Sequence, residues 1–230
     1  MDLAAVDSCA PPVLEASWLG RVEYLRALAL QEVLQARKIA GEATEYLLLL
    51  EHDPVYTLGR GADASDLRGA PERLGVAAHR IGRGGGATFH GPGQLVAYPI
   101  VRLATHGRDV HRYVRGLEKT LVDTCARLGV AASARAELTG VWVGDEKVAS
   151  IGIGVRRGVT IHGVALNVRT ELGYFAPIVP CRLPNLRVTS LERLGCGESV
   201  RDVGDVFARA FSAVFGYDLR MTPFPEEKAE

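Results

Sequence analysis

The chain has 230 residues, 47% of them hydrophobic and 23% charged, with a formal net charge of +0. That length and apolar share suit one domain with one sizeable core, and the neutral balance gives no global field for nucleic acid or an anionic membrane. No apolar run reaches the length of a membrane span, and the opening MDLAAVDSCAPPVLEASWLG carries acids but no basic n-region, so it does not read as a secretory signal.

Four cysteines, Cys9, Cys125, Cys181 and Cys196, show neither CxxC nor zinc-type spacing. This points to free thiols in a reducing, cytoplasmic compartment and to no metal site.

In chain order, residues 1–17 read as a loose tail. A helix follows over Val22–Ala40, with Leu25, Leu28 and Val33 inward and Gly41 as its stop. Tyr46–Leu50 reads as a buried strand, and His52–Arg60 as a turn leading into another. Arg80–Gly93 is glycine-rich. Leu95–Leu103 reads as a strand whose Pro99 suggests an edge or a bulge. The clearest helix is Val110–Leu128, because Val114, Leu117, Leu121, Cys125 and Leu128 recur at spacings of three and four. Strands over Gly140–Val143 and Lys147–Val155 meet at a tight turn near Gly144-Asp145, and Thr160–Val168 is a further strand. Tyr174–Val188 is proline-rich and loop-like. A last helix runs from about Val200 to Phe215, capped by Ser199, with Val203, Val206, Phe207, Ala210 and Phe211 inward. Strands that cluster into hairpins predict an α/β fold of the α+β type: a mixed, largely antiparallel sheet backed by helices. The predicted domain spans 18–220, with a C-terminal tail over 221–230.

The stretch RIGRGGGATFHGPG contains G-x-G-x-x-A, the outline of a dinucleotide fingerprint. That fingerprint requires a helix directly after it, and Thr88-Phe89-His90-Gly91-Pro92-Gly93 cannot start one. No Lys-Ser/Thr ending makes it a P-loop. What remains is either an ordinary surface loop or a binding loop whose bare backbone admits a ligand closely. Arg83, His90 and the stiff Gly91-Pro92-Gly93 favour the second.

Among the cysteines, Cys125 falls on an apolar helix face and suits inert core. Cys9 lies in the tail and Cys196 in a glycine-flanked turn. Cys181 sits in VPCRLP, where the prolines force a loop, so it is either a bystander thiol or a nucleophile. Lysine is scarce: of 27 basic residues only Lys38, Lys119, Lys147 and Lys228 are lysines. In a two-residue hairpin Lys147 shares a face with Trp142, Ala149, Ile151 and Ile153. An amine desolvated there favours its neutral, proton-accepting form, which arginine cannot adopt. The alternative is a lysine snorkelling out at the strand end.

Four segments then resemble a known family. Arg83-Gly-Gly-Gly-Ala-Thr-Phe-His90-Gly-Pro-Gly-Gln94 is similar to the R-G-G-x-x-x-x-H-G-P-G-Q segment of lipoyl(octanoyl) transferases, the LipB family. Gly144–Gly152 resembles its lysine segment, His162–Val168 the strand after it, and Pro180-Cys181 with Val188–Leu191 its nucleophile loop. The likeness runs from about His52 to Leu194, and one departure is Arg182, where many relatives have glycine.

The resemblance implies the fold of biotin and lipoate protein ligases. It also implies transfer of octanoyl groups from octanoyl-acyl carrier protein to a lysine of lipoyl domains, those of 2-oxoacid dehydrogenase complexes and the glycine cleavage H protein. Cys181 carries the acyl group and Lys147 activates it. Arg83, Gly84, Gly85, Gly86, Ala87, Thr88, Phe89 and His90, then Ser150, Ile151 and Gly152, then Gly163, Val164 and Ala165, line the substrate site. No metal or cofactor is needed, because the thioester already stores the activation. Gly152, Gly154 and Gly163 are expected to leave a tunnel for the acyl chain. Arg60, Arg156, Arg157 and Arg182 are candidate docking charges for acidic partners. Two rivals remain: an ATP-dependent lipoate ligase of the same fold, and a non-catalytic acyl-binding module.

Overall fold

The computed structural model describes residues 10–107, 109–179 and 186–224. A mixed sheet runs β10 (Arg187–Val188), β8 (Glu146–Arg156), β9 (Val159–Asn167), β6 (Gln94–Ile100), β2 (Glu45–His52), β1 (Val13–Val22), β11 (Asp218–Met221). A further strand, β7 (Val141–Val143), pairs with β8. The central ladders are antiparallel, whereas β1 lies parallel to both β2 and β11, and β10 parallel to β8. A small second sheet orders β4 (Ala77–Arg80), β3 (Val55–Leu58), β5 (Ala87–His90).

The sheet is buried on both faces, which is why Tyr46–Leu50 is an unbroken apolar run. Leu47 and Leu49 meet α3 (Val110–Arg127) and α4 (Val200–Phe215), in a core that includes Leu117, Leu121, Phe207 and Phe211. Tyr46, Leu48 and Leu50 face Ala27 and Leu34 of α1 (Tyr24–Ile39). One short helix, α2 (Ala70–Leu74), flanks the small sheet, with Ala70 buried beside Tyr56 and Phe89. The long helices start on side-chain acceptors: Glu23 accepts from Leu25 N, Asp109 from His111 N, and Ser199 Oγ from Asp202 N.

Three readings change. Residues 13–17, read as tail, belong to β1. Its Leu14 and Ala16 are buried, but Pro11-Pro12 and Glu15 disguised the alternation. On α1, Leu25 is 49% exposed, and the inner face is Tyr24, Ala27, Gln31, Leu34, Gln35 and Lys38. Its buried polar residues are satisfied: Gln31 accepts from His162 N and Gln35 donates to Val159 O. Pro99 is on neither an edge nor a bulge. Strand β6 is central, and Pro99 falls beyond Ala97, the last residue paired with β9, where Thr160 Oγ1 instead donates to Pro99 O at 2.7 Å. Lys38 lies in the last turn of α1. It is 1% exposed and ion-paired with Glu45 at 3.0 Å.

Candidate active site

Lys147 is held by the β7–β8 hairpin, whose turn is Gly144-Asp145. It pairs directly with Trp142 across the ladder and is 3% exposed. The snorkelling alternative is therefore excluded. Its Nζ donates to Thr139 O at 3.0 Å and stands 5.0 Å from the centre of the Trp142 ring. Arg135 stacks over the same ring at 5.3 Å and pairs with Asp145. Space for the lysine depends on Gly140: a Cβ there would lie 2.5 Å from Lys147 Cε. Gly140 N in turn donates to Glu118 Oε1 of α3 at 3.1 Å.

Cys181 and Arg182 lie outside the described residues, as does Cys9. The chain re-enters at β10, where Val188 pairs with Lys147 and Thr189 N donates to Lys147 O at 3.0 Å. Of the remaining cysteines, Cys125 is core, its thiol pushed up to about 12 by burial, and Cys196 is buried in the same cluster.

A pocket opens along β8 and β9, walled by Ser150, Ile151 and Gly152, by Gly163, Val164 and Ala165, and by Arg83, Gly85, Gly86, Ala87, Thr88 and His90. Two residues of the expected set stand apart. Gly84 ties the loop to β8 by donating to Ile153 O at 2.8 Å. Phe89 alternates to the other face of β5, where it stacks on Tyr174 with centroids 4.5 Å apart. The pocket also takes in Tyr24, Ile81, Tyr98 and His162, which sequence reasoning missed. His162 was within reach, because it directly precedes the wall residue Gly163. Tyr24 and Tyr98 carried no local signal, since only the fold brings α1 and β6 to the site.

The polar groups around the pocket are fixed by one another. Arg83 donates to Thr57 O and to Thr57 Oγ1, both at 2.9 Å, and to Gly84 O. His90 Nδ1 lies 2.8 Å from Gln94 Oε1, whose own Nε2 donates to Asn167 Oδ1, and Asn167 donates to Thr189 O. Since Gln94 Oε1 only accepts, the His90 proton sits on Nδ1. Likewise His52 Nδ1–H donates to Val22 O, and Nε2 accepts from Tyr98 Oη. Burial, helped by His52 and Arg83, lowers His90 to about 3. Burial alone lowers His52 to about 4, and burial with Arg83 and Arg60 lowers His162 to about 4. All three imidazoles are neutral at neutral pH, which suits an apolar ligand.

His162 is also strained. Its φ of +61° is left-handed, at a cost of about 1–2 kcal/mol for a residue with a Cβ.

The glycines expected to open a tunnel make room for protein instead. A Cβ on Gly152 would meet Arg83 Cδ at 2.9 Å, and one on Gly163 would meet Ala97 O at 2.1 Å. Arg60, Arg156 and Arg157 are exposed, but Arg156 is about 30 Å of strand from Lys147, at the opposite end of β8. The arginines near the Lys147 end are Arg135 and Arg187, both paired with Asp145. Among the described residues no cluster of side chains suits a metal ion, and no helix is long and apolar enough to cross a membrane.

Solved lipoate protein ligases share this fold. The structure superposes on a putative lipoate protein ligase from Thermoplasma acidophilum with bound lipoic acid (TM-score 0.76, 19% identity, covering 94% of this chain and 91% of that one). It also superposes on a lipoate-protein ligase A bound with ATP (TM-score 0.75, 18% identity, covering 94% and 91%). The family model for the lipoyl protein ligase A/B catalytic domain matches residues 23–212. Octanoyltransferases are similar at higher identity: that of Solibacter usitatus is 47% identical over 87% of this chain and 92% of its own length. That of Geobacter sulfurreducens is 53% identical over 76% and 73%. The chain belongs to the lipoyl protein ligase A/B family, in its octanoyltransferase (LipB) branch, and is an acyltransferase.

Proposed function

We propose that this enzyme moves an octanoyl group from octanoyl-acyl carrier protein to a lysine of a lipoyl domain, through a thioester on Cys181. The observation that carries the reading is Lys147: a buried amine beside β10, in the same strand whose Ser150, Ile151 and Gly152 wall a largely apolar pocket.

In the first half-reaction Lys147 Nζ takes the proton from Cys181 Sγ, whose ordinary pKa of ~8.5 leaves most of it protonated at neutral pH. The thiolate attacks the donor thioester carbonyl. The tetrahedral adduct collapses, a new C–S bond replaces the old one, and the carrier thiolate leaves with the proton returned by Lys147. In the second, the acceptor amine attacks the Cys181 thioester, an amide forms, and the cysteine thiolate departs while Lys147 receives the amine's proton. The pocket contributes binding: about six buried methylenes at ~0.8 kcal/mol each supply roughly 5 kcal/mol. Arg83 and the neutral His90 shape its wall.

Intact-protein mass spectrometry after incubation with octanoyl carrier, without ATP, tests this. One octanoyl adduct is expected on the parent and none on Cys181→Ala. An adduct that persists in that variant, or that requires ATP and free octanoate, overturns the reading.

A further inference from the structure

The acyl pocket does not end in a deep wall of the core. Two side chains, His162 and Ile81, line both it and a second, open space of about 530 Å³ lined also by Leu28, Val155 and Ile161. Beyond them lies a rim carrying Arg60, Arg80 and Arg156. From Ser150, paired with Ala165, to Ile153, paired with His162, the pocket wall runs about 10 Å along the strand, close to the length of an extended eight-carbon chain. We infer that His162 and Ile81 form a thin partition that sets the acyl-length limit of this enzyme, with the second space as the route a longer chain would take.

This rests on the acyl-transfer reading above and names what determines its chain-length specificity. Three further observations support it. His162 takes a left-handed backbone inside a strand, a conformation that turns the residue away from ordinary β geometry. Its N–H is held by Gln31 Oε1 at 2.9 Å, so the backbone is anchored to α1. Yet its buried Nδ1 has no hydrogen-bond partner among the described residues, so the ring is placed by packing and backbone alone. A residue that costs strain and leaves a buried nitrogen unpaired, at the point where two spaces meet, is explained by what it separates. The second space has apolar atoms to receive extra methylenes at Leu28, Val155 and Ile161.

His162→Gly suits the test, because glycine adopts this φ without strain and removes the ring. His162→Asn is the second variant, since asparagine tolerates the left-handed region and is shorter. Ile81→Ala opens the partition from the other side. Each protein is incubated with carrier loaded with six- to fourteen-carbon chains, and adduct formation is followed by mass spectrometry. A twelve-carbon chain that cannot pass the partition must leave the pocket and forgo the burial of its methylenes, about fourfold each, so the parent is expected to disfavour twelve carbons against eight by well over tenfold. His162→Gly is expected to raise the twelve-to-eight ratio at least tenfold, with His162→Asn and Ile81→Ala moving it the same way. A parent that takes no chain of any length overturns the acyl-transfer reading itself. A parent that takes eight and twelve carbons alike, or variants that all keep the parental ratio, overturns the partition alone.

Discussion

Two lysines are buried among the described residues, and their surroundings differ. Lys38, at the end of α1, meets the Glu45 carboxylate at 3.0 Å and the carbonyls of Glu42 and Ala43. Lys147, in the β7–β8 hairpin, lies against Thr139 O and the face of Trp142. In the first region the buried positive charge is matched by a negative one. Burial pushes the Glu45 carboxyl up while Lys38 opposes this, so the pair is secure only together. In the second, the amine meets a carbonyl and a ring, and β10 brings the flank of the Cys181 segment alongside it. Burial alone therefore does not distinguish the two lysines; what surrounds each amine does.

The contrast breaks first at Lys147. Lys147→Arg is expected to lower kcat/KM by roughly 10²–10⁴, the range of a lost general base, while thermal stability falls little by comparison. Steady-state transfer assays with octanoyl carrier read this, and a rate near the parent's would remove the base assignment.

Lys38→Met should do the reverse. It strands a buried carboxylate and is expected to cost about 3–5 kcal/mol in urea unfolding, with kcat of the folded fraction unchanged. Adding Glu45→Leu should recover most of that loss. If the single variant lost kcat in place of stability, the two regions would not differ as described.

The buried histidines sharpen the comparison through pH. Their folded pKa values lie below the ordinary 6.5, so below that pH the unfolded chain binds more protons and the fold loses stability as pH falls towards 4 and 3. The expected slope is up to about 1.4 kcal/mol per pH unit per histidine. Melting temperatures between pH 4 and 7 measure it, and His90→Gln should flatten the curve. The smallest effect is far from both lysines: Ser199→Ala removes the α4 cap and should cost about 1 kcal/mol with activity intact.

Elements whose pattern is self-contained were legible in the sequence. Helix α4 carries its own cap and stripe, and its Val200–Phe215 bounds match the sequence reading. The β7–β8 hairpin announces itself by Gly144-Asp145, and it put Lys147 on an apolar face, while the structure decided between burial and snorkelling. Readings failed where a distant partner decides the outcome. Leu25 looked inward by hydropathy, but α1 turns Gln31 and Gln35 to the sheet because β9 needs their amides. Pro99 looked like an edge because a proline cannot donate to a ladder, and it is central here because the β6–β9 pairing lapses beyond Ala97, where the Thr160 hydroxyl takes up the Pro99 carbonyl. The pocket showed the same division. Its contiguous glycine loop was readable, while Tyr24, Tyr98 and the role of His162 depend on strands and a helix remote in sequence.

The amide chain from His90 through Gln94 and Asn167 to Thr189 has one more consequence. Each link has a fixed direction, with donor and acceptor ends that cannot be exchanged, and Asn167 O also receives the Leu191 N–H. Sliding β10 along β8 by one residue would mismatch the links at Asn167 and Thr189 together. The chain therefore acts as a register lock, and the amide protons of Thr189 and Leu191 should exchange with solvent at the rate of global unfolding even though β10 spans only Arg187–Val188.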